Sequence, residues 1–295
     1  MSIVEELCRA AAAVKYDVQK LSTDIKNKAL YTAADKLVER QEGILTANRE
    51  DIAAGRAAGM NEGLIDRLTL TEIRIEQIAE GLRQVAQLPD PVGELMDEFT
   101  RPNGMKIRKV RVPMGVIGVI YESRPNVTAD AFALCFKAGS AVILKGGSDA
   151  IHSNIAITNV LRDSLEECGI CPDAVQLIAT TDRAATRELM TMRQYVDLLI
   201  PRGGAGLIRA VVENSRIPVI ETGTGNCHIY VDKDADLDMA MKILINAKTQ
   251  RIGVCNAAES LVVHRDVLDS FLPMLAKTME EYNVLLRADE DSRAL

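Results

Sequence analysis

The sequence predicts an α/β protein built around a doubly wound parallel sheet. From residue 115 onward, short apolar stretches alternate with helix-length amphipathic stretches. That rhythm is typical of parallel strands joined by right-handed helical crossovers, with helices on both faces of the sheet. The chain has 295 residues, of which 47% are hydrophobic and 26% are charged, as in ordinary globular proteins. A chain of this length predicts about two domains.

The N-terminal part, residues 2–88, predicts helices because apolar residues recur at spacings of three and four. Thr69 and Thr71 are candidate N-caps for the last of these helices. The stretch Pro89–Gly93 then breaks the helical pattern. The clearest helices are Val4–Val14, Asp24–Gln41 and Leu70–Leu88.

A β-hairpin is predicted over Glu98–Val112. Asn103 and Gly104 stand between two short extended stretches, and Asn-Gly in that setting is the strongest short-range hairpin signal. The hairpin carries a basic run, which we interpret as a solvated or subunit-facing surface rather than a nucleic-acid interface. The run consists of Arg101, Lys106, Arg108, Lys109 and Arg111.

The alternating part of the chain predicts the sheet and a second βα segment. The predicted sheet strands are Gly115–Tyr121, Ser140–Lys145, Ala174–Ala179, Val196–Ile200 and Pro218–Glu221. The helices between them are predicted at Val127–Lys137, Asp149–Cys168, Asp182–Met192 and Ala205–Asn214. After Glu221, strands are predicted at His228–Val231 and Ser260–His264, and helices at Leu237–Gln250 and Asp266–Tyr282.

Composition argues against several classes of function. The net charge is −7, Trp is absent and aromatic residues make up 3% of the chain, so a nucleic-acid partner is not expected. The N-terminus does not resemble a secretory signal, and the apolar stretch Val112–Tyr121 is too short to span a bilayer. The six cysteines do not form a disulfide framework, and the three histidines have no metal-binding spacing. We therefore expect a cytoplasmic protein with no structural metal.

Ligands of doubly wound sheets bind beyond the carboxyl ends of the strands. Three such ends are informative here: Tyr121–Asn126, Lys145–Ser148 and Pro201–Gly206. The last of these places glycines at the start of a helix, where backbone N–H groups and the helix dipole favour a phosphate. A simple tight turn is the other interpretation, and Lys145 can equally be a solvated strand end.

The cysteines stand in different sequence settings, which predict different roles. Cys168 and Cys171 form a CxxC pair, but it lacks a second pair, and Cys168 would lie at a helix C-terminus, where the dipole disfavours a thiolate. Cys8 and Cys135 fall on apolar helical faces and are expected in the core. Cys255 lies in a glycine-containing break after a long helix, where either a reactive thiol or a structural cysteine is consistent with the spacing.

At this point the motifs resemble a known family. The segments Val112–Asn126, Ala141–Gly147, Asn226–Asp232 and Asn246–Cys255 are similar to gamma-glutamyl phosphate reductases, members of the aldehyde dehydrogenase superfamily, in matching order along the chain. The resemblance implies an aldehyde-dehydrogenase-like fold and the second step of proline biosynthesis. It implies an NADP-binding domain from residues 1–97 and 113–220, an oligomerisation hairpin at 98–112, and part of a catalytic domain at 221–295.

The resemblance also implies roles for single residues. Cys255 matches the nucleophile, and Asn126 matches the asparagine that helps to form the oxyanion hole. Lys145 matches a lysine that contacts the adenosine ribose, beside Gly147 and Ser148. Because Ser148 stands where NAD-preferring relatives often carry an acid, NADP(H) is the expected cofactor. The pyrophosphate loop corresponds to Arg202, Gly203, Gly204 and Ala205.

Three charged residues each have more than one interpretation. Arg124 and Arg251 stand close in sequence to Asn126 and Cys255, and each suits the phosphate or α-carboxylate of L-glutamyl 5-phosphate. Surface arginines are the alternative. Glu221 precedes Cys255 by 34 residues, where aldehyde-oxidising relatives place a water-activating glutamate. It can instead contact the cofactor or end a strand.

Members of the resembling family are longer than this chain. The family's C-terminal His-Ser-Asp region is missing before Leu295, so we expect a truncated chain that binds NADPH, shows little or no turnover, and self-associates or is poorly soluble alone. The resemblance further implies a homo-oligomer and an association with glutamate 5-kinase. Two alternatives remain open: an aldehyde-oxidising dehydrogenase, which Glu221 would support, and an inactive nucleotide-binding fragment.

Overall fold

A computed structural model describes residues 1–223, 225–252 and 254–293 of the chain. Gly253 of the cysteine motif and the final Leu295 therefore lie outside the described residues. The chain divides into two compact units, Met1–Thr222 and Gly223–Leu295. The expected α/β fold is confirmed: helices lead, and strands and helices then alternate.

The first unit begins with the predicted helical segment. Side chains cap several of its helices: Ser22 accepts a hydrogen bond from the Ile25 N–H, and Thr71 accepts one from the Arg74 N–H. The helix predicted to run to Gln41 ends at Glu39, and a new helix begins at Gln41. The helices are α1 (Ile3–Gln19), α2 (Thr23–Glu39), α3 (Gln41–Ala57), α4 (Glu62–Leu68) and α5 (Glu72–Gln87).

The predicted hairpin is present and starts three residues earlier than expected. Antiparallel strands β1 (Leu95–Thr100) and β2 (Lys106–Val110) pair across a short loop. Pro102 sets the first bend of this loop. Gly104 adopts φ +83° and donates its N–H to the Arg101 carbonyl. The Asn-Gly signal thus marks a type I turn followed by a left-handed glycine rather than a two-residue turn.

A four-stranded parallel sheet forms the centre of the first unit as the structure describes it, in the order β5-β4-β3-β6. Its strands are β3 (Val116–Tyr121), β4 (Ala141–Lys145), β5 (Val175–Leu177) and β6 (Leu198–Arg202). The helices of this part are α6 (Asn126–Lys137), α7 (Ile151–Glu167), α8 (Arg183–Leu189) and α9 (Ala205–Asn214). Pro201 and Arg202, expected in a loop, belong to β6.

The predicted strand Pro218–Glu221 is wrong. Only one isolated parallel bridge forms there, between Leu199 and Val219, within the described residues. The Leu199 N–H donates to the Pro218 carbonyl, and the Ile220 N–H donates to the Leu199 carbonyl. Because Pro218 has no N–H, the ladder cannot continue on its side.

Two cores cover the faces of the sheet, as a doubly wound fold requires. On β3, Ile117 and Val119 pack with the helices α2, α5, α6 and α7. Val116 and Ile120, which point the other way, pack with α1, α8 and α9. Every residue of β3 is buried, which explains its unbroken apolar sequence.

The second unit is a smaller βα arrangement. Strands β7 (Cys227–Val231) and β8 (Ala258–Val263) pair in parallel, and their core includes Phe271 and Leu275. The helices are α10 (Leu237–Thr249), α11 (Leu268–Glu281) and the short α12 (Glu290–Arg293). Within the described ranges, no helix is both long and apolar enough to cross a membrane.

The buried Asn48 joins three parts of the first unit and gives a test of its packing. Its amide donates to the Leu68 carbonyl at 2.9 Å and to Ser153 Oγ at 3.0 Å, and its Oδ1 accepts from the Leu70 N–H at 2.7 Å. Asn48→Ala should lower the free energy of unfolding by about 2–4 kcal/mol in urea titrations, because it leaves these groups unpaired in the interior.

Asn159→Ala is the matched control, since Asn159 is exposed on α7. We expect it to change the free energy of unfolding by less than about 0.5 kcal/mol. Equal effects of the two variants would contradict the role given to Asn48.

Candidate active site

The candidate site lies at the carboxyl edge of the parallel sheet. Parallel register aligns Ile120 of β3 with Lys145 of β4, and Tyr121 of β3 with Arg202 of β6. The three loops that follow these strands therefore start at the same level. They are the loops that the sequence singled out as a ligand-binding edge.

The loop after β6 has the features of an anion-binding turn. Gly204 is the N-cap of α9 and gives the helix no side-chain cap. The Glu122 carboxylate accepts a hydrogen bond from the Gly204 N–H at 2.8 Å. A Cβ at Gly203 would lie 2.7 Å from that carboxylate, so a larger residue there would require the Glu122 side chain to move. The N–H groups and dipole of such a helix terminus favour an anionic group, here the Glu122 carboxylate.

Lys145 ends β4 inside the protein. The residue is 5% exposed, its Nζ donates to the Gly146 carbonyl at 2.9 Å, and burial lowers its pKa. The interpretation of Lys145 as a solvated strand end is therefore wrong. The ammonium group lies directly beside the glycine pair that opens the next loop.

Ser148 and Asp149 follow that glycine pair. Ser148 is exposed and donates to Asp149 at 3.2 Å, and Ser123 of the neighbouring loop also donates to the Asp149 carboxylate. Both Asp149 oxygens thus accept hydrogen bonds from hydroxyl groups. The loops after β3 and β4 are tied together by this carboxylate, and Gly147 packs against the same Glu122–Ser123 segment.

Asn126 begins α6 and is half-buried. Its Nδ2 donates to the Asp130 carboxylate at 2.9 Å, one helical turn further along. A buried chain of hydrogen bonds fixes the same turn of the helix: Tyr121 and Thr128 share one at 2.7 Å, and Thr128 donates to Asn154 of α7 at 2.9 Å. Asn126 is therefore carried by a helix end that the core holds in place.

Cys255 belongs to the second unit and is exposed. Its backbone carbonyl accepts a hydrogen bond from the Cys227 thiol at 3.3 Å. A Cβ at Gly225 would lie 3.4 Å from the same carbonyl, so the start of β7 packs closely against the peptide of Cys255. The segment that precedes β7 thus supports the loop that carries the candidate nucleophile.

The remaining candidates divide between the two units. Arg124, Arg202 and Glu221 belong to the first unit, and Arg251 belongs to the second. Arg124 is half-buried, whereas Arg202, Glu221 and Arg251 are exposed. The structure brings together the residues of the cofactor loops and, separately, the residues around Cys255.

The sequence analysis missed four side chains that contact the candidates: Glu122, Asp149, Asp130 and Cys227. Glu122 and Asp149 had a recognisable signal, because each is an acid immediately beyond a buried strand or its glycine turn. Asp130 also had one, because it stands four residues after Asn126 on a helix. Cys227 contacts Cys255 through tertiary folding, which spacing does not reveal.

Comparison with known proteins assigns the family. Residues 2–294 match the profile of the aldehyde dehydrogenase family. A gamma-glutamyl phosphate reductase of Heliobacterium modesticaldum is 56% identical over 279 residues, covering 95% of this chain and 67% of the relative. One of Agathobacter rectalis is 53% identical, covering 100% of this chain and 71% of the relative. The chain thus spans about two thirds of the length of the curated relatives it matches.

A solved structure agrees with these relatives. The crystal structure of gamma-glutamyl phosphate reductase from Thermotoga maritima has a TM-score of 0.87 and 42% identity, covering 99% of this chain and 74% of that one. The aldehyde-dehydrogenase-like fold expected from the motifs is therefore confirmed.

The different settings of the cysteines predict an order of alkylation. Cys8 and Cys135 are buried, as the sequence predicted, and burial raises the pKa of each thiol to about 12. Cys171 and Cys255 are exposed. Brief iodoacetamide treatment near pH 8 should label the two exposed residues first, because a buried thiol with a raised pKa supplies little accessible thiolate. Peptide mass spectrometry reports the order, and native labelling of Cys135 at the rate of Cys171 would contradict it.

Proposed function

This chain belongs to the gamma-glutamyl phosphate reductase family, within the aldehyde dehydrogenase family, and we propose that it encodes the NADPH-dependent reduction of L-glutamyl 5-phosphate. The products are L-glutamate 5-semialdehyde and phosphate, as in the second step of proline biosynthesis. The proposal rests on the 53% identity to a named reductase over 295 residues. The matched length covers the exposed Cys255 and the loop that carries it.

The reaction begins at the activated acyl group of the substrate. Cys255 attacks the γ-carbonyl as a thiolate, and phosphate leaves to give a thioester on the enzyme. Asp130 occupies only one hydrogen of the Asn126 amide, and we propose the other as a donor to the oxyanion, as the family resemblance implies. One such donor typically contributes about 10²–10³ in kcat. A nicotinamide nucleotide held by the cofactor loops would supply the hydride, and loss of the Cys255 thiolate would then release the aldehyde.

Two arginines are proposed to bind the negatively charged groups of the substrate. The acyl phosphate and the α-carboxylate are both anions that a guanidinium group can bind through two parallel hydrogen bonds. We assign Arg124 and Arg251 to the binding of these two anionic groups. Glu221 has no required part in acyl-phosphate reduction, since a water molecule activated there would hydrolyse the thioester. We therefore assign Glu221 to the cofactor.

The cofactor is proposed to be NADP(H), held by Lys145, Gly147, Ser148 and the turn from Arg202 to Ala205. Ser148 is neutral and exposed, which leaves room for a 2′-phosphate. The neighbouring Asp149 is an acid, but Ser123 and Ser148 both donate to its carboxylate. Its charge is therefore partly compensated by the protein and does not by itself select a ribose 2′-hydroxyl.

The quaternary structure and the cellular location of this protein are proposed by analogy with the same family. The hairpin of β1 and β2 is exposed except at the half-buried Ile107 and presents Leu95, Phe99 and Val110 to solvent, which supports its proposed role as a contact between subunits. We further propose a cytoplasmic enzyme and an association with glutamate 5-kinase, whose product is this labile substrate.

The nucleophile is tested by Cys255→Ser, with Cys171→Ser as the matched exposed control. We expect Cys255→Ser to lower kcat for semialdehyde-dependent, phosphate-dependent NADP⁺ reduction on the order of 10³-fold or more, because a hydroxyl is a far weaker nucleophile. NADPH affinity, measured by fluorescence titration, should stay within about twofold. Full activity of Cys255→Ser would contradict the assignment of Cys255 as the nucleophile.

Cofactor choice is tested by Ser148→Glu, with the uncharged Ser148→Gln as control. A carboxylate at this position should repel the 2′-phosphate and shift the ratio of NADPH to NADH affinity about tenfold or more toward NADH. Ser148→Gln should leave the ratio nearly unchanged. Equal affinities for the two cofactors in the parent chain, unaltered by Ser148→Glu, would refute the preference.

A further inference from the structure

Asp130 is a half-buried carboxyl group at the candidate site that the reaction sequence above does not use. It lies on α6, and Asn126 Nδ2 donates to its Oδ2 at 2.9 Å. Within the part of the chain that the structure describes, Asp130 forms no ion pair with a lysine, arginine or histidine. Its environment therefore supplies one neutral donor and no compensating cation.

The other carboxylates at this edge of the sheet already have donors from the protein. Glu122 accepts from the Gly204 N–H, and Asp149 accepts from the hydroxyl groups of Ser123 and Ser148. Asp130 differs because burial outweighs its hydrogen bond from Asn126 and raises its pKa. A carboxylate that has lost water in this way gains most from a cation brought by a ligand.

The substrate in the proposed function carries such a cation. Its α-ammonium group is separated from the reacting carbonyl by a short aliphatic spacer. Asn126 and Asp130 are one helical turn apart, a spacing of about 5–6 Å between Cβ atoms, which that spacer can match. Gly81 of α5 faces the Asp130 carboxylate and adds no side chain there.

We propose that Asp130 binds the α-ammonium group of the glutamyl substrate and so distinguishes it from acyl phosphates and semialdehydes without an amine. This inference rests on the proposed function, because the ammonium belongs to that substrate. With Asn126 directed at the carbonyl and Asp130 at the amine, one face of α6 contacts both ends of the glutamyl chain. Arginines remain responsible for its anionic groups.

A purely positioning role is the competing explanation. If Asp130 only orients the Asn126 amide, its charge matters equally for every acyl group that reacts at Cys255. If it binds the ammonium, its charge matters only for substrates that carry one. The two roles therefore differ in substrate selectivity rather than in overall activity.

The experiment compares L-glutamate 5-semialdehyde with glutarate semialdehyde, the same chain without the amine, in the phosphate-dependent oxidative direction. Parent chain, Asp130→Asn and the control Asp17→Asn are assayed. Asp17 is exposed on α1 and has no part in the site. Asp130→Asn keeps the size of the side chain and an oxygen that can accept from Asn126, but removes the charge.

We expect Asp130→Asn to raise KM for glutamate semialdehyde about tenfold or more and to leave KM for glutarate semialdehyde unchanged or lower. Asp17→Asn should alter neither constant. The parent chain itself should prefer the amine-bearing aldehyde, which tests the inference even if Asp130→Asn folds poorly. A second readout is the concentration of each aldehyde that protects Cys255 from iodoacetamide, which requires binding but no turnover.

The outcomes separate the two proposals. An equal loss on both aldehydes in Asp130→Asn assigns Asp130 to positioning Asn126 and overturns the ammonium site. Equal protection of the parent Cys255 by both aldehydes also overturns it. If the parent chain neither turns over nor is protected by either aldehyde, the proposed function fails first, and the inference fails with it.

Discussion

The pairing of β3 with β4 on one side and β6 on the other is the constraint on which the candidate site depends. The register of these two pairings brings the carboxyl ends of the three strands to one level. The proposed ligand-binding residues of the first unit lie in the loops that follow these ends or close to them in sequence. Gly118 permits the central pairing, because a Cβ there would lie 2.4 Å from a Leu199 methyl group. A larger residue at that buried position would therefore require the Leu199 side chain to move.

Carboxylates link the loops at this edge, which is unexpected for a site that receives anions. Glu122 joins the loop after β3 to the start of α9, and Asp149 joins it to the loop after β4. Each negative charge is offset by N–H or O–H donors rather than by cations. The Glu122 carboxylate at the Gly204 N–H shows that the start of α9 already compensates one negative charge.

Local sequence signals predicted the elements but not the contacts that complete the site. Unbroken apolar stretches predicted β3 and β4, and Asn103-Gly104 predicted the hairpin, because each depends on neighbouring residues alone. Pro218–Glu221 failed because a proline denies the ladder its N–H. For Lys145 the sequence left a solvated strand end and a cofactor contact both open, because its burial comes from tertiary packing. The hydrogen bond from Cys227 to the Cys255 carbonyl joins residues 28 apart in sequence, and no spacing rule identifies it.

Helix α6 holds Asn126 and Asp130, the two side chains proposed to contact the substrate, in a fixed position. Its first turn carries Asn126, its second carries Asp130, and Thr128 between them is fully buried in a hydrogen-bonded chain with Tyr121 and Asn154. Tyr121 ends β3 and Asn154 belongs to α7, so the sheet and a neighbouring helix fix the rotation of α6 about its axis. Groups that must meet a carbonyl and an amine within a few tenths of an ångström benefit from such a rigid support. The buried hydrogen bonds of Thr128 therefore hold Asn126 and Asp130 in place as well as linking α6 to the sheet and to α7.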